Sequence, residues 1–279
     1  MLKSFLVILL FSTNSFGQHD VDVLNYNIII EVNDTTDNIW VEEIITLKRT
    51  AESKNISLDL ISKDKDGYGM VVSSISQRSE KVSFKHTGSK LEVLNLDYAP
   101  GETFTFKIIY SGVPKDGLVI GKNKYGNRTF FGDNWPTRAQ HWIVCNDHPS
   151  DKATVDFSII APEHYKGIAN GTLIKEEKLS NNRKLTVYKT KVELPTKVMV
   201  VGIAEFHTHQ LESELGFPIE SWVYPEDKVN GVNDMSVALD PLTFFIEEIG
   251  AYPYTKLTNV QSTTRYGGME NASCIFYDE

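Results

Sequence analysis

Apolar and polar residues alternate with a period of two through most of the chain, from residue 20 to about residue 206. In segment 25–32 the apolar positions include Tyr26, Ile28, Ile30 and Val32, and segment 103–108 follows the same pattern. Alternation of this kind predicts strands that bury one face and expose the other. The larger part of the chain is therefore predicted to consist of β-strands.

Short sequences typical of turns separate the predicted strands. They are Asn33-Asp34, Asp64-Lys65-Asp66-Gly67, Pro100-Gly101, Ser111-Gly112 and Asn181-Asn182. Asn, Asp and Gly are common in turns because they tolerate backbone conformations that other residues avoid. Many short strands joined by turns, without helical stretches between them, predict an antiparallel sandwich or saddle rather than a parallel α/β sheet.

The period changes after Pro225, where apolar residues recur at three- and four-residue steps and predict the first helix. The residues of this apolar face are Met235, Ala238, Leu239, Leu242, Phe245, Ile246 and Ile249. Gly250 is expected to end the helix, and Asp240-Pro241 predicts either a kink or a new start capped by Asp240. We place the boundary between the two parts of the chain near residues 206–210.

Length and charge restrict the function classes. A chain of 279 residues is long enough for one large domain or two medium domains with a buried core. The net charge is -9 at pH 7 and no cluster of Lys and Arg interrupts it. Since phosphate binding depends on grouped basic side chains, nucleic acid is not an expected partner.

The N-terminus has the features of a secretory signal peptide. Lys3 supplies a positive charge, segment 5–11 is apolar, and small residues at 15–17 suit cleavage. A signal peptide at 1–17 predicts a secreted or periplasmic protein. The apolar run is much shorter than the roughly 20 residues of a spanning helix, so no stable membrane anchor is expected. A buried N-terminal strand or a membrane anchor is the alternative.

The two cysteines, Cys145 and Cys274, do not have the paired spacing of a zinc knuckle. Export permits disulfides, but the sequence leaves open whether these two Cα atoms come close enough to bridge. We treat both as free thiols.

Near the C-terminus, the motif Gly267-Gly268-Met269-Glu270-Asn271 places two glycines beside a carboxylate. Glycine has no side chain, so the backbone of a ligand can approach it closely. Two structural alternatives stay open. The glycines can serve a turn that needs positive φ, and Glu270 can be a solvated residue at a strand edge.

Several landmarks precede this motif along the chain. They are the aromatic and charged run 135–154 with Cys145-Asn146-Asp147-His148-Pro149, the turn Ala169-Asn170-Gly171, the segment 201–206, and Gly250-Ala251-Tyr252-Pro253-Tyr254. Together with the glycine motif, and in this order, they resemble the M1 family of zinc aminopeptidases, which includes aminopeptidase N. The resemblance extends from about Tyr26 to Glu279.

The resemblance implies a mainly β fold and a peptidase activity. It implies an antiparallel β-sandwich or saddle domain at 18–207, followed at 208–279 by the α+β start of a thermolysin-like catalytic domain. It also implies zinc-dependent release of N-terminal amino acids from peptides with a free N-terminus. Gly267, Gly268, Met269, Glu270 and Asn271 would bind this substrate, with Glu270 holding its α-amino group.

The family's zinc-binding pattern, a His-Glu-x-x-His helix that follows the Met-Glu-Asn strand, does not occur in residues 1–279. We therefore expect the zinc ligands beyond residue 279, no catalytic or metal-ligating residue within this chain, and negligible hydrolysis by the chain alone. The alternative function is a non-catalytic secreted β-sandwich binding protein related to the aminopeptidase N-terminal domain.

Members of the family also present a Gln or Glu from the N-terminal domain as a second contact to the substrate. In this chain Trp135 stands at the expected position, with Asp133 and Asn134 beside it. This departure leaves three options open: Asp133 makes the contact, Asn134 makes it, or Trp135 shapes an apolar pocket for the first residue.

Overall fold

The computed structural model describes residues 20–279, so the predicted signal peptide lies outside the described residues. Strands dominate, and the predicted mainly β fold is confirmed. In chain order the first strands are β1 Val21–Glu31, β2 Ile39–Arg49, β3 Ile56–Asp59, β4 Gly69–Gln77, β5 Glu80–Lys81, β6 Phe84–Thr87, β7 Lys90–Val93, β8 Thr103–Val113, β9 Leu118–Lys122 and β10 Arg128–Gly132. They continue with β11 Lys152–Pro162, β12 Lys166–Ala169, β13 Thr172–Leu179, β14 Arg183–Lys189, β15 Leu194–Pro195 and β16 Val201–Ala204.

The remaining elements form the C-terminal part of the described chain. They are β17 His207–Leu211, β18 Ile219–Val223, α1 Lys228–Ser236, α2 Leu239–Glu248, β19 Leu257–Ser262, β20 Gly268–Asn271 and β21 Cys274–Asp278.

The largest sheet has the strand order β13-β14-β11-β1-β2-β8-β4-β5, with β15 also pairing with β11. Its neighbours are antiparallel except for β1 and β11, which are parallel. This parallel pair departs from the antiparallel prediction. Its two strands are far apart in sequence, so no hairpin sets their direction.

Two smaller sheets complete this part of the fold, in the orders β12-β16-β10-β9 and β3-β7-β6. Buried side chains alternate along β1, and the alternation shifts phase at a bulge between Val23 and Asn25. One continuous core includes the fully buried Trp142, whose ring stacks on Phe157 at 6.3 Å.

The predicted turns have different outcomes. Asn181 and Asn182 join β13 to β14 with φ of 59° and 55°, which confirms the predicted turn. The prediction for Ser111-Gly112 is wrong because both residues lie within β8. A Cβ at Gly112 would lie 2.1 Å from the carbonyl oxygen of Gly69, so this glycine permits close strand packing rather than a turn.

The C-terminal sheet has the order β17-β18-β19-β21-β20. Strands β18, β19 and β21 run parallel, and the two helices connect β18 to β19. A parallel pair needs a long crossover, which a helical connection supplies. The change from period two to a helical period therefore marks the start of a mixed α+β sheet.

The predicted helix forms as two helices, and Asp240 is not the cap. Ala238 occupies the N-cap position of α2, and Asp240 lies in its first turn beside Pro241. Proline is tolerated there because the first N–H groups of a helix have no partner within the helix. A carboxylate in the first turn also favours the positive end of the helix dipole. Gly250 follows the C-cap Ile249 with φ of 133°, as expected for a helix end.

Two further predictions concern membranes and thiols. Within residues 20–279, no helix combines the length and apolar character needed to cross a bilayer. Cys145 and Cys274 are both buried free thiols.

Candidate functional site

A groove of about 980 Å³ lies between the two helices and one face of the C-terminal sheet. The helices contribute apolar side chains such as Met235, Leu242 and Phe245. The sheet contributes polar ones, including Asn259 and Gln261 of β19. A cleft with an apolar wall and a few polar groups on the other wall has the composition of ligand sites.

Glu270 lies at this groove on the strand β20. The strand pairs with β21 and forms the edge of the C-terminal sheet, with Glu270 opposite Ile275. The Glu270 side chain is exposed and lines the groove. An edge strand has backbone N–H and C=O groups without a neighbouring strand, so an extended peptide can add to it.

The two glycines of the motif have different conformations. Gly267 has φ of 79°, and no atom lies within 4 Å of the place that a Cβ would occupy, which fits the turn alternative for this residue. At Gly268, which is not at positive φ, the nearest atom to such a Cβ is Glu270 Oε1 at 3.5 Å. The space over both residues is open, so a ligand backbone can approach them. The turn and the close approach are compatible.

Met269 and Asn271 are less exposed than Glu270, and Asn271 also lines the groove. Met269 is partly buried against the core. Asn271 is buried, and its Nδ2 donates to the carbonyl oxygen of Met269 at 3.2 Å. The Oδ1 atom of Asn271 has no hydrogen-bond partner, so the predicted contact of this residue with a ligand stays a prediction, as does that of Met269.

Carboxylates outnumber cations among the residues that line the groove. They are Asp227, Asp234, Glu270, Asp278 and Glu279, against Lys124. Lys124 Nζ already pairs with Asp227 Oδ2 at 2.9 Å. Burial, followed by the charge of Glu270, raises the pKa of Tyr277 on the same sheet face. This excess of negative charge favours a cationic ligand group such as an ammonium.

Hydrogen bonds from the turn between β9 and β10 fix one end of the groove. Tyr125 Oη donates to Asp227 Oδ1 at 2.5 Å, and the backbone N–H of Lys124 donates to Glu279 Oε1 at 2.6 Å. Gln261 Nε2 donates to Asp227 Oδ2 at 2.6 Å. The position of these carboxylates therefore depends on residues that are far apart along the chain.

Of the three residues considered for a second substrate contact, Asn134 is fully engaged within the protein. Its Nδ2 donates to the carbonyl oxygens of Thr196 and Met199 at 3.1 and 2.6 Å. Its Oδ1 accepts from Trp142 Nε1 at 2.8 Å. Because Asn134 is completely buried, it is not available to a ligand.

Trp135 and Asp133 differ from Asn134. Trp135 is half exposed and does not line the groove. Lys197 Nζ lies 4.0 Å from the centre of its ring. Asp133 is buried and bonded to Arg138, while its Oδ2 has no hydrogen-bond partner. Burial raises the pKa of Asp133, although Arg138 and Arg265 oppose this rise. Asp133 is thus nearly as buried as Asn134 and, like Trp135, does not line the groove.

The residues 20–279 do not bring together three His, Cys, Asp or Glu side chains in an arrangement that could hold a metal ion. The described part of the chain therefore does not fit the zinc ion that the resemblance implies.

Sequence reasoning missed most of the groove. Asp227, Asp234, Asp278 and Glu279 were not singled out because each is an ordinary polar residue in its local sequence. These residues come together only because β18, β19 and β21 lie side by side in one sheet and the two helices pack on that sheet. Among these carboxylates, only Glu270 could be recognised from its local sequence, because two glycines stand close to it.

Comparison with protein families gives one match over most of the chain. The Peptidase M1 N-terminal domain matches residues 23–198. Among curated proteins, glutamyl aminopeptidase of Rattus norvegicus is 29% identical over 150 residues, which are 53% of this chain and 16% of that protein. Aminopeptidase Q of Homo sapiens is 25% identical over 196 residues, 64% of this chain and 20% of that protein. The chain thus spans a small part of the length of these relatives.

Solved structures share the fold. An M1 zinc metallopeptidase mutant from Deinococcus radiodurans has a TM-score of 0.77 and 22% identity, covering 94% of this chain and 61% of that one. A two-domain M1 zinc metallopeptidase mutant bound to L-tryptophan has a TM-score of 0.79 and 22% identity, covering 93% and 61%. At this identity the likeness establishes the fold alone.

Proposed function

Since this chain belongs to the peptidase M1 family, we propose that it is part of a zinc-dependent aminopeptidase that releases N-terminal amino acids from peptides. The observation that carries the proposal is the exposed carboxylate of Glu270, on an edge strand that lines an acidic groove. The proposed division of the chain is a signal peptide at 1–17, an N-terminal β domain at 18–207, and the start of a catalytic domain at 208–279.

In the proposed complex, Glu270 binds the α-ammonium of the peptide. A hydrogen bond between ions of opposite charge contributes about 1.5 to 3 kcal/mol, more than a bond between neutral groups. An internal peptide bond or an acetylated N-terminus has no ammonium, so it gains nothing from this contact. The other carboxylates of the groove add a negative field that favours the same charged group.

The backbone of β20 has a second role in the proposal. Its free edge can pair with the main chain of the peptide, and the open space over Gly267 and Gly268 allows the approach. Asp133 and Asn134 are both buried, and neither they nor Trp135 line the groove, so no second contact to the substrate is proposed from these three residues.

The proposed cofactor is zinc, because the structurally similar proteins are M1 zinc metallopeptidases. Residues 20–279 do not form a metal site, so the role proposed for them is to bind and orient the substrate. Hydrolysis by these residues alone is accordingly expected to be negligible. Secretion or export to the periplasm, with peptides as the partners, belongs to the same proposal.

Replacing Glu270 by alanine is the direct test of this function. In the full-length protein with its metal bound, the change is expected to lower kcat/KM for peptides with a free N-terminus by roughly 10- to 100-fold. This corresponds to the loss of a contact of about 1.5 to 3 kcal/mol. Steady-state kinetics with a free-amine peptide and its N-acetylated form measure the effect.

Asp278→Asn is a matched control, since Asp278 is another exposed carboxylate of the same groove on the neighbouring strand. It is expected to change the kinetics by less than threefold or so, because a charge without direct contact is screened by solvent. Equal kinetics for wild type and Glu270→Ala would remove Glu270 from the site. Equal losses in both variants would reduce its role to a general field effect.

A further inference from the structure

The turn that joins β20 to β21 rests on a turn of the N-terminal sheets. Asn170 Nδ2 donates to the carbonyl oxygen of Ala272 at 2.7 Å, and the backbone N–H of Gly171 donates to Ser273 Oγ at 3.0 Å. Ala272 and Ser273 connect the paired residues Asn271 and Cys274. The contacts thus hold the tip of the hairpin whose first strand carries Glu270.

Asn170 is itself fixed in the core. It is completely buried, its Nδ2 also donates to the carbonyl oxygen of Val198 at 2.8 Å, and its Oδ1 accepts from the N–H of Val200 at 2.6 Å. Both polar atoms of the side chain are therefore satisfied by the protein. A buried, fully bonded amide has little freedom to move, so its contact with Ala272 is a rigid support.

Gly171 is suited to this contact by its conformation. Its φ is 84°, and a Cβ at this position would lie 2.2 Å from the carbonyl oxygen of Lys189. A residue with a side chain would have to displace the turn. Glycine allows the backbone N–H to reach Ser273, which itself has φ of 64°.

Within the C-terminal sheet, the hairpin is held by the pairing of β20 with β21 and by the N–H of Thr258, which donates to the carbonyl oxygen of Ser273 at 3.0 Å. β20 has four residues and one neighbouring strand, whereas β21 is held between β20 and β19. An edge strand with a single neighbour is free to shift unless another contact fixes it. A misplacement of about 1 Å is enough to weaken a charge-assisted contact to a substrate.

We infer that Asn170, Gly171 and Ser273 form a positioning clamp, by which the N-terminal sheets set the place of the Glu270 carboxylate in the groove. These residues do not touch the substrate. They act through the hairpin, so the N-terminal part of the chain contributes to recognition of the peptide amine. The inference deepens the proposed function and rests on it for its kinetic consequence.

Two substitutions open the clamp from opposite sides. Asn170→Asp replaces the donating amide by a carboxylate oxygen that faces two carbonyl oxygens. Ser273→Gly removes the hydroxyl that accepts from Gly171, and glycine tolerates the positive φ of this position. Thr172→Val is the matched control, because the Thr172 hydroxyl donates to Thr255 Oγ1 at 2.7 Å in the same contact region rather than to the hairpin.

The first readout is amide hydrogen exchange of the full-length protein. Both clamp variants are expected to speed exchange in β20 by about fivefold or more, with the central strands β1 and β2 unchanged. Thr172→Val should leave β20 as in the wild type. Unchanged exchange in β20 for both clamp variants overturns the inference, whatever the kinetics show.

The second readout is the ratio of kcat/KM for a free-amine peptide to that for its N-acetylated form, in the full-length metal-loaded protein. The fraction of folded protein cancels in this ratio, so a merely destabilising change does not move it. We expect about a fivefold drop for the clamp variants and none for Thr172→Val. A drop for Glu270→Ala without one for the clamp variants overturns the clamp alone, and no drop for Glu270→Ala overturns the proposed function.

Discussion

Glu43→Gln is expected to remove a destabilisation of the fold that grows as the pH rises from about 4.5 to about 8. Glu43 lies on β2 in the centre of the large sheet and is completely buried. The alternation of β2 puts this position on the inward face, where its neighbours Val41 and Ile45 are apolar and buried. A carboxyl group at such a position has a large desolvation cost when it is ionised.

The hydrogen-bond partners of Glu43 fit a neutral carboxyl group. Tyr110 Oη lies 2.7 Å from Glu43 Oε2 and 3.0 Å from the carbonyl oxygen of Trp142. The tyrosine has one hydroxyl hydrogen, so it cannot donate to both oxygens. Glu43 Oε2 also accepts from the N–H of Val144 at 3.1 Å, but the buried Oε1 has no hydrogen-bond partner, which is costly for an ionised carboxylate.

Burial raises the pKa of Glu43 from its ordinary 4.5 to about 8, against the opposing bonds from Tyr110 and Val144. The folded pKa is above the unfolded one, so the stabilisation is complete below about pH 4.5 and is lost as the pH rises through about 8. Each pH unit in this window costs up to about 1.4 kcal/mol, which sums to the order of 5 kcal/mol.

Denaturant unfolding at several pH values checks this expectation. The free energy of unfolding of Glu43→Gln minus that of the wild type should increase with pH between about 4.5 and 8 and then level off. Altered hydrogen bonds in the variant add a constant to this difference in free energy, so they do not change its slope against pH. Glu42→Gln, which removes the neighbouring carboxylate paired with Lys107, is the control for loss of charge on β2. A flat difference for Glu43→Gln would show that Glu43 is ionised in the folded protein.

Gly112→Ala is expected to destabilise the protein by about 2 to 4 kcal/mol. Gly112 lies in β8 between β2 and β4, opposite Ile39 on one side and Met70 on the other. Its Cβ would lie 2.1 Å from the Gly69 carbonyl oxygen and 2.9 Å from the Met70 Cα. These are backbone atoms inside a sheet, so they cannot rotate away and the strands must separate.

Gly121→Ala is the matched control, since Gly121 also lies in a strand, β9, and no atom is within 4 Å of its Cβ position. Alanine there should be neutral or slightly stabilising, because glycine loses more backbone freedom on folding. Denaturant unfolding of the two variants under one set of conditions measures the difference. Similar stabilities for both would show that β4 and β8 can separate at little cost.

Much of the fold was predictable because strands and helices leave periodic patterns in the sequence. The alternation in segment 25–32 appears in β1, and the change of period after Pro225 appears in the two helices. Asn181-Asn182 was predictable as a turn because its residue types favour positive φ. Ser111-Gly112 was not, because a glycine needed for strand packing has the same local sequence as a glycine needed for a turn.

The candidate site was predictable only at Glu270 and its neighbouring glycines. Their spacing is local, whereas the other carboxylates of the groove come from loop, helix and strand segments that are separate in sequence. The sequence also did not distinguish between Asp133, Asn134 and Trp135 as the second contact to the substrate. Their hydrogen bonds differ in the structure. Both polar atoms of Asn134 bond with Thr196, Met199 and Trp142, whereas one carboxylate oxygen of Asp133 has no partner.

The sequence by itself determined the secondary-structure type along most of the chain, the helix region and the motif with Glu270. These features depend on residues a few positions apart, whose periodicity and backbone preferences act locally. Only the tertiary structure decided the parallel pairing of β1 with β11, the burial of Glu43 and the contact of Asn170 with the hairpin. Desolvation and hydrogen bonding at these places depend on groups distant in sequence, which meet only when the chain folds.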